Sequence, residues 1–168
     1  MRLYTCMHAG QPDNALQAAY LAVQITLVQA AVVSGLLYWN IETFVGFFTT
    51  DAEVTALIKH CIHWVCLYIL VDHAMATLQG IFAGCGKQAI GATLMLVGGW
   101  VVTLPLAWTL AFHTGLQLSG IYIAITAGYF LVALAFSYFV WVRFDWPALS
   151  EHARQTAADH IDAKFETP

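Results

Sequence analysis

Residues 61–83 read CIHWVCLYILVDHAMATLQGIFA, a run whose only formal charge is Asp72. A helix of this length crosses about 30 Å of hydrocarbon, so the run reads as a transmembrane span. Asp72 lies eleven residues from Cys61 and eleven from Ala83, near the bilayer midplane. An ionised carboxyl at that depth costs at least about 2.5–3.5 kcal/mol. An acid kept there therefore holds a proton or a cation, or bonds to a neighbouring helix. The first makes it a coupling site for H⁺ or Na⁺; the second makes it structural. Cys61, Tyr68, Asp72, Met75, Ala76 and Gln79 share one broad stripe by i+3, i+4 and i+7 spacing. Small, polar and soft side chains suit a cavity wall that contacts organic cations, with Tyr68, Met75 and Gln79 as its candidate lining. They suit an interhelical contact equally. Gly80 and Gly84 form a small-xxx-small element that lets two helices approach closely.

Three further runs extend the pattern outward. Residues 15–39 carry no charge, and neither do residues 89–112, which contain Gly98-Gly99 and Pro105. Pro105 predicts a kink, because neighbouring helices can re-satisfy the backbone groups that proline frees. The last run, 120–142, ends at Arg143. The expected organisation is thus an N-terminal segment 1–14, a four-helix membrane segment 15–146 and a polar tail 147–168, weakly helical or mobile. Between the first two spans, Thr43–Phe48 is too short to cross and is expected at the interface. Thr50-Asp51-Ala52-Glu53 then predicts a helix start, with Thr50 as the cap and Glu53 reaching back to it.

Arg2, Lys87, Arg143, Arg154 and Lys164 fall on one side of this four-span arrangement, and only Lys59 on the other. The bias places both termini in the cytoplasm. Trp39, Trp108, Trp141 and Trp146 lie near predicted span ends, where indole rings anchor at headgroups.

Composition supports a bilayer solvent. Apolar residues make up 60% of the 168 and charged residues only 10%, with a mean hydropathy of +0.71. A soluble domain is about 45–50% apolar and about 25% charged. The formal charge of −4 offers no basic face for nucleic acid. Cys6, Cys61, Cys66 and Cys85 follow no zinc or disulfide spacing and read as inert thiols of helix walls. His60 and His63 stand at i,i+3, but His60 and Cys61 diverge by about 100° around the helix and Lys59 adds charge, so no metal or haem site is expected. Gly84-Cys85-Gly86-Lys87 lacks the phosphate-loop glycine, since Ile81 stands there. The N-terminus is not a signal peptide, because its first apolar run is too long for a signal core.

The second and third spans resemble the multidrug and toxic compound extrusion (MATE) transporters in the region of their last four helices. The pattern is Asp72, Gly80, Gly84-Cys85-Gly86-Lys87-Gln88, Gly91-Ala92 and Leu104-Pro105-Leu106. Phe48-Thr49-Thr50-Asp51 with Glu53-Val54, Gly120-Ile121-Tyr122 and Asp145-Trp146 extend it over residues 40–146. Ala83 stands where the family usually has Arg, Met95 where Asn is usual, and Gly99-Trp100 where a Tyr pair is usual.

The resemblance implies an all-α membrane protein equivalent to the last four of twelve helices. It implies a non-enzyme that exports organic cations, xenobiotics or metabolites by antiport, with no cofactor beyond the coupling ion, H⁺ or Na⁺, bound at Asp72. Its partners would be the lipid bilayer, a small organic substrate and the missing N-terminal helices of a full-length transporter. Those helices normally supply an acidic partner to the Asp72 position, so the segment is expected to be a fragment, inactive alone, of a plasma-membrane or vacuole-type protein. The alternative from another class is a small scaffold or accessory subunit that uses its helices only for packing. A self-assembling four-helix exporter ranks below both, because such exporters carry an acid early in the first span and this one has none.

Overall fold

The computed structural model describes residues 12–151 and 154–155; Arg2, Cys6, Lys164 and most of the predicted polar tail lie outside them. The elements in chain order are α1 (Pro12–Trp39), α2 (Ile41–Gly46), α3 (Ala52–Gly84) and α4 (Gln88–Leu96). A π-helical stretch (Val97–Thr103) then leads into α5 (Leu104–Phe112). α6 (Gln117–Tyr138) runs into a second π-helical stretch (Phe139–Arg143). Four helices are long and apolar enough to cross a membrane: Asp13–Trp39, Ala52–Gly84, Gln88–Phe112 and Gln117–Arg143. These are the four runs of the sequence.

α3 is longer than its apolar run. It begins at Ala52, where the Thr50–Glu53 pattern predicts a helix start, and continues for 33 residues, about 50 Å. That exceeds a ~30 Å hydrocarbon core, which leaves room for Glu53 and Lys59 outside it. Asp51, not Thr50, is its cap: backbone φ −72° and ψ 123° let a carboxylate oxygen accept from Glu53 N at 2.8 Å and Val54 N at 3.4 Å. A carboxylate also complements the positive end of the helix dipole, an advantage the Thr50 hydroxyl lacks. Thr49 Oγ1 accepts from Asp51 N at 3.1 Å and braces the approach.

α3 and α6 form the centre. Phe82 is fully buried and meets Phe136 edge-on at 4.5 Å, while Met75, Leu78, Ile81, Val132 and Val140 fill the surrounding space. α1 packs against α3, held by a reciprocal pair: Ser34 Oγ donates to Cys66 O at 3.3 Å, and Cys66 Sγ donates to Ser34 O at 3.5 Å. Cys61 Sγ and Ser119 Oγ lie 3.2 Å apart between α3 and α6. Both thiols therefore serve as interhelical polar contacts.

Among the described residues, tight helix–helix approach is found at glycines other than Gly80. Gly80 is exposed, and a Cβ added there meets nothing within 4 Å, so no described helix rests on it. At Gly128 an added Cβ would overlap Thr103, at Gly98 it would overlap Val132, and at Gly120 it would lie 2.7 Å from Leu110 O. Gly120, Ala124, Gly128, Val132, Phe136 and Val140 are all buried. Their four-residue steps make one continuous seam down α6.

Pro105 enters the first turn of α5 directly after the π-helical stretch. The wider turn absorbs the proline that would break an α-helical ladder, and Thr103 Oγ1 donates to Gly98 O at 2.8 Å. Trp39, the last residue of α1, and Trp108, one turn before the end of α5, are exposed, and Trp141 stacks on Tyr20 at 4.1 Å. Trp146 is a correction: it is 9% exposed and donates from Nε1 to Val140 O at 3.2 Å. It closes the end of the α6 helix instead of facing headgroups. Residues 146–151 are helical.

Candidate functional site

Asp72 sits on α3 twelve residues before Gly84, about 18 Å along the axis and close to half the depth of a ~30 Å hydrocarbon core. Its side chain is half-buried. One turn earlier, Tyr68 points towards α6, where its ring lies 5.9 Å from Tyr129 and 6.4 Å from Tyr122. The Tyr68 hydroxyl is within interaction range of the Asp72 carboxyl and of the Tyr122 and Tyr129 phenols. Tyr122 and Tyr129 are seven residues apart and so share one face of α6. Thr126 between them is buried and donates to Tyr122 O at 2.7 Å. On α3, His73 Nδ1 lies 2.9 Å from Ile69 O, and Thr77 Oγ1 donates to His73 O at 2.8 Å. These neighbours bond to the α3 backbone, and the group tied to the Asp72 carboxyl is the Tyr68 hydroxyl.

Asp72 and Tyr68 bring one carboxyl and one phenol together, and the Tyr68 ring links them to two further tyrosines on α6. A carboxylate accepts a proton or a cation, and a phenol either donates to the carboxylate or offers an oxygen lone pair. Sequence reading singles out Asp72 and Tyr68; it does not name Tyr122 and Tyr129, on which the Tyr68 ring packs. Their i,i+7 spacing was visible; that this face turns to α3 was not, because α6 is apolar on every side.

The predicted stripe divides into three. Tyr68 stays with Asp72. Met75 does not line an open cavity, because it is 4% exposed and belongs to the core. One turn further along α3, Leu78 joins Val132 and Phe136 of α6 in the same core. Gln79 is exposed, seven residues and about 10 Å along the axis from Asp72. It opens with Ala76, Gly80, Ala83, Gln88 and Gly91 onto a groove of about 450 Å³ between α3 and α4.

Charge at the two ends is sparse. At the start of α3, Lys59 Nζ lies 2.6 Å from Glu42 Oε1, and that hydrogen bond and the ammonium charge hold the Glu42 carboxyl below the usual carboxylate range. At the other end, Gly86 adopts φ +70°, which only glycine takes freely, and Lys87 N then reaches Phe82 O at 2.9 Å. Burial pushes the Cys85 thiol in this turn up to about 11, despite the opposing Lys87 charge. His60 and His63 have ring centres 6.3 Å apart, and among the described residues no group of three His, Cys, Asp or Glu is placed to hold a metal.

The MatE family model matches residues 6–109. Multidrug and toxin extrusion protein 2 of Oryctolagus cuniculus is 31% identical over 158 residues, covering 90% of this chain and 26% of that protein. Protein DETOXIFICATION 14 of Arabidopsis thaliana is 29% identical over 147 residues, covering 88% of this chain and 30% of that protein. The crystal structure of the eukaryotic MATE transporter AtDTX14 superposes with a TM-score of 0.85 at 28% identity, over 92% of this chain and 34% of the other. The chain spans about a quarter to a third of the length of the relatives it matches. The match runs through the Asp72 helix and the Gly84–Gln88 turn, and the four-helix chain built around them belongs to the MatE family.

Proposed function

We propose that the chain is the coupling-ion segment of an antiporter, in which Asp72 binds H⁺ or Na⁺ and drives export of organic cations, xenobiotics or metabolites. One observation carries this reading: a half-buried carboxyl at mid-depth whose neighbour one turn away is a phenol packed on two tyrosines of α6, with no Lys or Arg paired to it among the described residues. A fixed Asp–Lys or Asp–Arg pair would lock the charge, whereas phenols stabilise the carboxylate without neutralising it. Its affinity for a proton or cation then depends on how closely α6 and the rest of the transporter approach. An ion held equally well in every state would shift nothing; one held better in a single state couples its gradient to export. The multidrug extrusion relatives and the superposition on a MATE transporter support the reading.

The segment works in this account with further helices that complete the cavity, both termini lie in the cytoplasm, and the 168 residues alone do not transport, because alternating access needs two bundles moving about a central site. The test is export of a fluorescent organic cation by the complete transporter under an imposed pH or Na⁺ gradient. Asp72→Asn keeps the shape and removes the charge, and should abolish gradient-driven export at equal protein in the membrane. Asp72→Glu should retain part of it at a shifted pH optimum. Parental rates for the Asn variant would return Asp72 to a structural role and favour a packing subunit.

A further inference from the structure

α4 is a rod of nine residues, about 13 Å long, with a joint at each end. At its start, Gly86 takes φ +70°, a conformation that glycine alone adopts freely. At its end, separate causes of helix bending coincide between Val97 and Pro105: a π-helical stretch, the Gly98-Gly99 pair and the proline. Trp100, Val101 and Leu104 are 60–69% exposed there, so no described helix covers them. On the inner side the joint engages α6 at two points. Val132 sits against Gly98, and Thr103 sits against Gly128. Gly128 and Val132 are four apart and share one face of α6. Gly98 and Thr103 are five apart; an α-helix would aim them about 140° from each other, whereas i→i+5 bonding brings them to one side. The two-point contact therefore depends on the π register.

The two halves of the span are fastened differently. α5 lies backbone against backbone on α6, since a Cβ added at Gly120 would come within 2.7 Å of Leu110 O. α4 keeps ordinary van der Waals spacing, since a Cβ added at Gly91 would find Phe136 at 3.4 Å. Its other side borders the groove of about 450 Å³, where Gln88, Gly91 and Ala92 face Gln79, Gly80 and Ala83 of α3. We propose that α4 is a hinged flap. It tilts between the Gly86 turn and the Val97–Pro105 joint, pivots where Gly98 and Thr103 meet α6, and so widens and narrows the α3–α4 groove while α3, α5 and α6 stay together. Its role rests on the transporter reading, in which part of the bundle moves in each cycle; the motion itself does not.

The test places the 168-residue chain in phosphatidylcholine nanodiscs with its six tryptophans replaced by 5-fluorotryptophan. Signals are assigned by Trp100→Phe and Trp108→Phe. Trp100 lies in the joint and Trp108 on α5, at 69% and 61% exposure, so Trp108 is a matched control. Hinge motions fall in the μs–ms range, and fluorine relaxation dispersion should be several-fold larger at Trp100 than at Trp108. Deleting Val101 leaves Gly98 and Thr103 four apart, on one face of an ordinary α-helix, and should suppress the Trp100 dispersion several-fold. Gly99→Ala, where an added Cβ meets nothing within 4 Å, removes backbone freedom without a clash and should lower it as well. Joining Gln79→Cys to Ala92→Cys across the groove with a short bismaleimide, in a chain whose four native cysteines are serine, should also suppress it. Equal dispersion at Trp100 and Trp108 overturns the proposal. Dispersion that survives the crosslink, or that neither joint variant lowers, overturns it as well, because the motion would then belong to the indole and not to the flap.

Discussion

Tyr68 stands one turn from Asp72 and brings its hydroxyl to the carboxyl, while its ring meets Tyr122 and Tyr129 on the facing helix. Removing only that hydroxyl separates the two roles. Tyr68→Phe keeps the ring contacts and takes away the hydroxyl beside the carboxyl. In the complete transporter, gradient-driven export should fall several-fold with unchanged protein in the membrane; parental export would remove Tyr68 from the coupling site. A second contrast concerns glycine. Gly128→Ala drives a methyl into Thr103 and should destabilise by about 1–3 kcal/mol, the usual cost of overpacking. Gly80→Ala meets open space and should gain about 0.5–1 kcal/mol from the backbone alone, both measured by unfolding in detergent. Equal effects at the two positions would contradict the packing described. The small-xxx-small spacing at Gly80 and Gly84 was legible, but spacing alone does not say which helix arrives, and the seam that forms is the one on α6.

Element boundaries follow solvent more than hydropathy. The four spans were legible because about twenty uncharged residues in a row have no other reading in a chain with so little charge. The start of α3 was legible too, from the Thr50-Asp51-Ala52-Glu53 pattern, although hydropathy falls at Lys59 and His60; which residue caps it was not. Its cap is a carboxylate in a position where hydroxyl and carboxylate residues sit side by side. Asp51→Ala should cost about 1 kcal/mol of helix stability, read as a lower midpoint in thermal unfolding. Thr50→Ala should leave the midpoint in place; the reverse order would restore Thr50 as the cap. The π-helical stretch before Pro105 also escaped sequence reading. A proline predicts that a ladder is interrupted, but whether the helix kinks or widens depends on Thr103, Gly98 and the α6 residues packed against them.

At the scale of the whole molecule, the basic residues set orientation. With Lys87 and Arg143 on one side and Lys59 on the other, the Gly84–Gln88 turn should face the cytoplasm and the Gly115–Ser119 loop the opposite side. Membrane-impermeant thiol labelling of cysteines placed at 87 and 115 should therefore mark only 115 from outside; labelling of both would sink the topology. The native Cys85 will not confuse the result, since a thiol pushed up to about 11 is almost wholly protonated at neutral pH and reacts slowly. The family was legible from Asp72 and the Gly-Cys-Gly turn. The Tyr122 and Tyr129 partners of Tyr68 were not, because they come from a separate, mostly apolar span in which no single face stands out.

The central claim is that Asp72 couples an ion gradient to export, and two modes of movement separate coupling from binding. The measurement is made with the complete transporter in liposomes, comparing gradient-driven export of an organic cation with gradient-free exchange of labelled for unlabelled substrate. Asp72→Asn should abolish the gradient-driven mode and retain exchange, because the cavity survives while the ion no longer biases its states. Equal gradient-driven export by the Asn variant and the parent would contradict the account.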